Sequence, residues 1–200
     1  MTDCKAPYSE VRKFIKPGDV IGYHRSGIGP KFIAIYEYLK TKTPLNLVTT
    51  HVSMCASGPE RIDRRLIVEA AEGEVNIRAL SNTLHLHDGK AFWYPLREEL
   101  NHLRPSIDSI CWEQVGKKYD FGSVLAKFGT TSLHPKKFFC SELCQYALQI
   151  IPYVLILEII RSMKKEEKDF PFLKEFFNEK TLRPQQLVQL PFYKPRVELL

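Results

Sequence analysis

The chain has 200 residues, of which 44% are hydrophobic and 26% charged, close to the averages for a soluble globular protein. At roughly one domain per 150 residues, this predicts a single domain over 1–200, large enough to bury a core without metal or disulfide staples. A disordered chain, a collagen-like fibre and a polytopic membrane protein are excluded, and the net charge of +6 permits an anionic partner without requiring one.

The first predicted element is a short strand, Asp19 to His24, entered through the turn signal Lys16-Pro17-Gly18. His24, at its end, is expected to be exposed. Pro30 to Leu39 has apolar positions at helical spacing, with the proline suited to a first turn. Four β-like runs follow: Thr50–Met54, Arg65–Ala70, Val75–Ala79 and Ala91–Tyr94. They are punctuated by Gly58-Pro59, Glu72-Gly73 and Asp88-Gly89, which suggests an antiparallel meander. After Pro105 the period becomes helical through Ile107, Ile110, Cys111, Gln114 and Val115, with Ser106 as N-cap. A second helix is expected from Cys140 to Ile150, then a charged helical segment to about Lys180, and a last strand at Leu187–Leu190. The reading is α+β: a small antiparallel sheet with helices packed on it.

There are five cysteines and no closely spaced pair of the metal-binding or redox type. The N-terminal stretch lacks the apolar core of a signal peptide, so a reducing, cytoplasmic setting with free thiols is expected. The most apolar stretch, Leu148 to Ile160, is interrupted by Pro152 and Glu158 and falls short of the ~20 apolar residues of a spanning helix. The densest charge run, Lys164 to Asp169, alternates in sign, as on a solvated helix face. It does not resemble a nucleic-acid stripe, and no nucleic-acid partner is expected.

Chemistry concentrates around Lys136-Lys137-Phe138-Phe139-Cys140-Ser141-Glu142-Leu143-Cys144. A cysteine opening a helix faces unpaired backbone N–H groups and the positive end of the helix dipole, both of which favour the thiolate; the two lysines act in the same direction. Most free cysteines are buried small apolar residues instead. A thiolate nucleophile needs a base, and the base an orienting partner. Of the six histidines, His51 has the best setting, on a central strand. Glu69 is a lone carboxylate in an apolar run and is costly there unless hydrogen-bonded. On neighbouring antiparallel strands, Glu69 could reach the imidazole of His51. The competing readings are a satisfied core histidine and a strand-edge glutamate.

Taken together, Gly18-Asp19-Val20-Ile21, the following helix, Thr50-His51-Val52-Ser53-Met54 and Ile67-Val68-Glu69-Ala70 resemble the N-terminal half of the circularly permuted NlpC-type papain-like hydrolases, the YiiX-like branch above all. In the second half, Gly116-Lys117-Lys118-Tyr119-Asp120-Phe121-Gly122 and Phe139-Cys140-Ser141-Glu142-Leu143 resemble that superfamily's tyrosine–glycine segment and nucleophile helix. Arg183-Pro184-Gln185-Gln186-Leu187 is a weaker echo. The order histidine, acid, cysteine is the permuted one.

The resemblance implies a permuted papain-like fold: a small antiparallel barrel-like sheet with the nucleophile helix packed on it, and a helical insertion at about 151–180. It implies Cys140 as nucleophile, His51 as general base, Glu69 as its orienter, and the backbone N–H of Cys140 as an oxyanion donor. The activity implied is that of a cysteine hydrolase, of amidase or thiol-peptidase type, or an acyltransferase working through a thioacyl-enzyme, with no cofactor. Many unpermuted members carry aspartate just before the cysteine and glycine two after it, where this chain has Phe139 and Glu142. The substrate would be a small peptide or other amide, or a lipid acyl ester or amide, since permuted relatives such as the lecithin:retinol acyltransferases act on lipids.

Other features carry less weight. Tyr23 and Tyr119 are candidates for lining the substrate cleft, against ordinary aromatic packing. His85 and His87 have the spacing of two ligands on one strand face, but no third ligand is evident and exposed histidines are expected. Cys144, one helical turn after Cys140, reads as core. Cys55 would share the face of His51 but has no helix dipole to activate it. The apolar run Tyr153–Ile160 is wider than a one-sided surface helix needs; a homo-oligomer interface, a greasy substrate wall and peripheral membrane contact are alternatives to the commonest explanation, an extra core helix. The reading from another class is a catalytically inactive papain-like module that docks an acidic protein or membrane surface.

Overall fold

The computed structural model describes residues 4–25, 34–35, 38–39, 43–58, 64–71, 73–119, 137–138, 140–178 and 182–200. The protein is an α+β structure built on a mostly antiparallel sheet packed with helices. Seven strands have three residues or more: β1 (Cys4–Ala6), β2 (Val20–Arg25), β3 (His51–Ala56), β4 (Leu66–Ala71), β5 (Glu74–Ala79), β6 (Gly89–Tyr94) and β9 (Val197–Leu199). Two-residue strands β7 (Lys118–Tyr119) and β8 (Lys137–Phe138) extend one edge, giving the order β1-β9-β6-β2-β3-β4-β5-β7-β8. Among the described residues the outermost pairs, β1 with β9 and β7 with β8, are parallel and the others antiparallel.

The runs expected as strands are β2 to β6, with shifts of a residue or two. The meander holds only from β2 through β5. β6 leaves the series and pairs with β2, in a register that sets Gly22 against Phe92 and Arg25 against Gly89. The crossover carries helix α2 (Leu80–Leu86), which replaces the strand geometry on which a shared face for His85 and His87 depended. Ser106 is not a cap either. Helix α3 (Arg104–Glu113) begins earlier, with Leu103 at the N-cap and proline in its first turn, the position where a missing N–H costs nothing. The strand expected at 187–190 is replaced by helix α7 (Pro184–Leu187), again opened by proline, and the closing strand lies ten residues further on.

Both faces of the sheet are covered, which is why β3 is buried at every residue. Alternation sends Val52, Met54 and Ala56 to one side. There Val20, Val68, Ala70, Phe92 and Tyr94 meet α3 through Ile107 and Cys111, and α4 (Cys140–Leu148) through Leu143, Cys144 and Ala147. Ile21, Tyr23, Cys55, Ile67, Ala91 and Trp93 form the second core, closed by Leu80 of α2 and by Leu199. Helix α5 (Tyr153–Ser162) buries Ile156, Ile159 and Ile160, as an added core helix does, and exposes Tyr153 and Val154. The charged segment after it breaks into a 3-10 turn (Glu167–Asp169) and the short α6 (Leu173–Phe177). Among the described residues no single helix is long and apolar enough to cross a membrane; α4 and α5 pass such a test only together, bent by 94° at their break. Of the helix expected at 30–39, residues 34–35 and 38–39 are helical and the rest lies outside the described residues.

A buried carboxylate ties the start of β2 and the neighbouring end of β6 to α3. Asp19, 1% exposed, accepts from the Lys16 N–H (3.0 Å), the Trp93 indole (2.8 Å), the Leu96 N–H (2.9 Å) and the Arg104 guanidinium (2.8 Å). Arg104 also donates to the carbonyls of Pro17 and Leu96. A charge is tolerated in such a place because every lone pair has a donor.

At the start of β6 the backbone of Gly89 has φ +141°, and a Cβ added there would lie 2.0 Å from the His24 carbonyl oxygen. Gly89→Ala is therefore expected to lower unfolding free energy by about 2 kcal/mol or more. Urea unfolding checks this, and an unchanged midpoint would contradict it.

Candidate active site

Three chain segments converge where β3 begins. His51 is its first residue, and the β2–β3 ladder runs out to it through the Tyr23–His51 pair. The β3–β4 ladder, in contrast, joins only Met54, Cys55 and Ala56 to Val68, Ile67 and Leu66. In that register Ser53 stands opposite Glu69, so Glu69 lies diagonally from His51 on the same face, within reach of a long side chain. Its Oε2 is 2.8 Å from His51 Nε2. The carboxylate is 2% exposed and its second oxygen, Oε1, lies 3.2 Å from the Nε of Arg78 on β5.

Cys140 is the first residue of α4, at the positive end of the helix dipole. Burial by itself would push its thiol up. The charge of His51, a hydrogen bond with the His51 ring, and the backbone N–H groups of Val52 and Ser141 outweigh burial, so the thiol lies below its ordinary value. With Nε2 turned to Glu69, the nitrogen left to face the sulfur is Nδ1. The remaining buried thiols show the opposite balance. Burial and the nearby charge of Asp19 hold Cys55 well up. Cys111 is raised by burial and Asp108, and Cys144 by burial and its neighbouring thiols. Position, not burial, separates Cys140 from the rest.

The structure thus brings Cys140, His51 and Glu69 together. Cys140 and His51 are both buried, each with 7% of its surface exposed. Tyr23 departs from its expected role. It is wholly enclosed, its hydroxyl 3.1 Å from Ser53 Oγ, with its ring 5.6 Å from His51 on one side and 5.2 Å from His87 on the other. It backs the imidazole and presents nothing to a substrate, because on the face it shares with His51 it is covered by the second core. Tyr119 lies in β7, and its side chain lies outside the described residues, as do Asp120 to Lys136 and Phe139.

His24 is within β2, half-buried, with Nδ1 3.0 Å from the Val48 carbonyl oxygen. His85 is exposed on α2 and His87 half-buried after it. Both line a cleft of about 450 Å³ with Tyr8, Lys90 and Leu200. Among the described residues no group of three or more histidine, cysteine or acidic side chains could hold a metal ion.

Several positioning residues escaped the sequence reading. Ser141 Oγ donates to the Leu182 carbonyl (2.6 Å), and Gln145 Oε1 accepts from the Leu182 N–H (2.8 Å). Gln185 Oε1 accepts from the Thr49 N–H (2.7 Å), two residues before His51. The segment around α7 therefore clamps the cysteine helix and the histidine strand in one frame. The signal in the sequence is two polar residues one turn apart, Ser141 and Gln145, on one face of the helix. No protein-family model matches this chain, and no curated protein matches its sequence.

Proposed function

We propose that the protein is a cysteine hydrolase or acyltransferase of permuted papain-like type. The observation that carries this reading is the juxtaposition of a depressed, helix-opening thiol at Cys140 with an imidazole held by the buried carboxylate of Glu69. Sulfur attack on an amide or acyl-ester carbonyl forms an S–C bond. The carbonyl electrons return and break the C–N or C–O bond, and the proton on His51 goes to the departing amine or alcohol. Water or another acceptor then gives a proton to His51 and opens the thioester, restoring the thiol pair. Glu69 orients the ring and stabilises its charged form. The backbone N–H of Cys140 is a candidate oxyanion donor.

The experiment is incubation with nitrophenyl esters and anilides of graded acyl length, with intact-mass and peptide mapping. An acyl adduct on Cys140 that turns over, and is absent in Cys140→Ala, is the expected result. No adduct on Cys140 with any of them, in folded protein, would overturn the reading and favour an inactive binding module.

A further inference from the structure

Glu69 is a buried carboxylate with a nitrogen donor on each oxygen, an imidazole on one and a guanidinium on the other. His51 Nε2 is at Oε2, and Arg78 Nε at 3.2 Å from Oε1. The arginine side chain is 36% exposed while the carboxylate is 2% exposed. The strands dictate this arrangement. In the β4–β5 register Asn76 lies opposite Glu69 and Arg78 opposite Ile67, so Arg78 reaches Glu69 diagonally from the far side, as His51 does from the near side. A carboxylate with one oxygen bound to a neutral imidazole and the other bare would be a poorly solvated charge.

From this geometry we infer that Arg78 is a positioning residue for the candidate site, fixing the Glu69 carboxylate in place and offsetting its charge so that His51 stays responsive to the sulfur. The inference rests on the triad proposed above. Facing His51 are Glu69 from β4, Cys140 from α4 and Tyr23 from β2; facing Glu69 are His51 and Arg78, with neutral Asn76 directly across.

The sign follows from these neighbours. Loss of the guanidinium charge removes a cation that favours the thiolate and disfavours imidazolium. The pH at which thiolate reactivity sets in then moves upward. A defect of packing alone would lower the amplitude and leave that onset where it was.

The test is iodoacetamide labelling of Cys140 from pH 5 to 9, followed by peptide mapping, in wild type, R78Q and R78K. R78Q is expected to label about threefold more slowly at pH 6, with the onset of labelling displaced upward, a modest effect because the charge is part-exposed. R78K, which keeps the charge, is expected to restore the onset. If R78Q does not fold, R78M takes its place, since it retains the apolar stem. An unmoved onset in folded R78Q, or equal slowing in R78Q and R78K without displacement, would overturn the role of Arg78. Failure of the triad itself reads differently: wild-type Cys140 would then react only at alkaline pH and be insensitive to His51→Ala.

Discussion

Replacing His51 with alanine is expected to lower acyl transfer about a hundredfold or more, the usual contribution of a positioned general acid–base group. Two effects add. The substitution removes the proton carrier for the leaving group, and it removes the principal charge that holds the Cys140 thiol below its ordinary value. Burial, which alone pushes that thiol up, is then opposed only by the N–H groups of Val52 and Ser141. In wild type the reactive thiolate–imidazolium pair is lost as pH falls through the depressed thiol value, so activity declines on the acid side and persists through neutrality. In His51→Ala activity rises only toward alkaline pH, where bulk solvent deprotonates the sulfur. Steady-state rates from pH 5 to 9 check this, and a variant that keeps the wild-type profile at near wild-type rate would contradict it.

Arg104→Ala is expected to produce the largest loss of stability, about 3–5 kcal/mol, because it leaves Asp19 charged and enclosed without its counter-ion. Asp19 would still accept from the Lys16 and Leu96 amides and the Trp93 indole, but it is 1% exposed, so water cannot replace the guanidinium. The carbonyls of Pro17 and Leu96 lose a donor at the same time. Against a typical total of about 5–15 kcal/mol this is enough to unfold a fraction of the protein. Urea unfolding with an unchanged m-value measures it. Pairing the change with Asp19→Asn should recover part of the loss, because the uncompensated charge is gone. A loss under about 1 kcal/mol for Arg104→Ala would show that the buried pair contributes little.

Much of the sheet is readable locally. Runs such as Val20–Tyr23 and Ile67–Ala70 carry apolar residues between glycine and proline turn signals, and they are strands. What escaped depends on long-range pairing. β1 and β9 are three residues each; β9 is held by antiparallel pairing with β6, and β1 by its parallel pair with β9. The partner of β6 could not be inferred from order along the chain, because its crossover contains α2, whose Leu80-Ser81-Asn82-Thr83 opening has weak helix formers. At 184–187 a proline at the first helical position outweighed an apolar run that resembles a strand.

The candidate site was legible in its chemical types and invisible in its supports. Cys140, His51 and Glu69 each look unusual where they stand: a thiol before an apolar helix, an imidazole in a strand, a carboxylate among valine and alanine. Arg78, in contrast, reads as an ordinary solvated residue on the alternating strand Glu74–Ala79, and its importance comes from a cross-strand diagonal that only the register reveals. Tyr23 looked like a cleft residue because nothing local shows that Leu80 and the rest of the second core close over it. Gln185 acts over 136 positions of chain, a separation no local pattern encodes.

The most direct measurement of the central claim is the pH dependence of iodoacetamide labelling, mapped to individual cysteines, in wild type and His51→Ala. Cys140 is expected to label fast at pH 6 to 7, ahead of the buried Cys55, Cys111 and Cys144, and to lose that advantage without His51. Labelling of Cys140 only above pH 8, or at an equal rate in both proteins, would contradict an activated thiolate pair and leave Cys140 as a structural thiol.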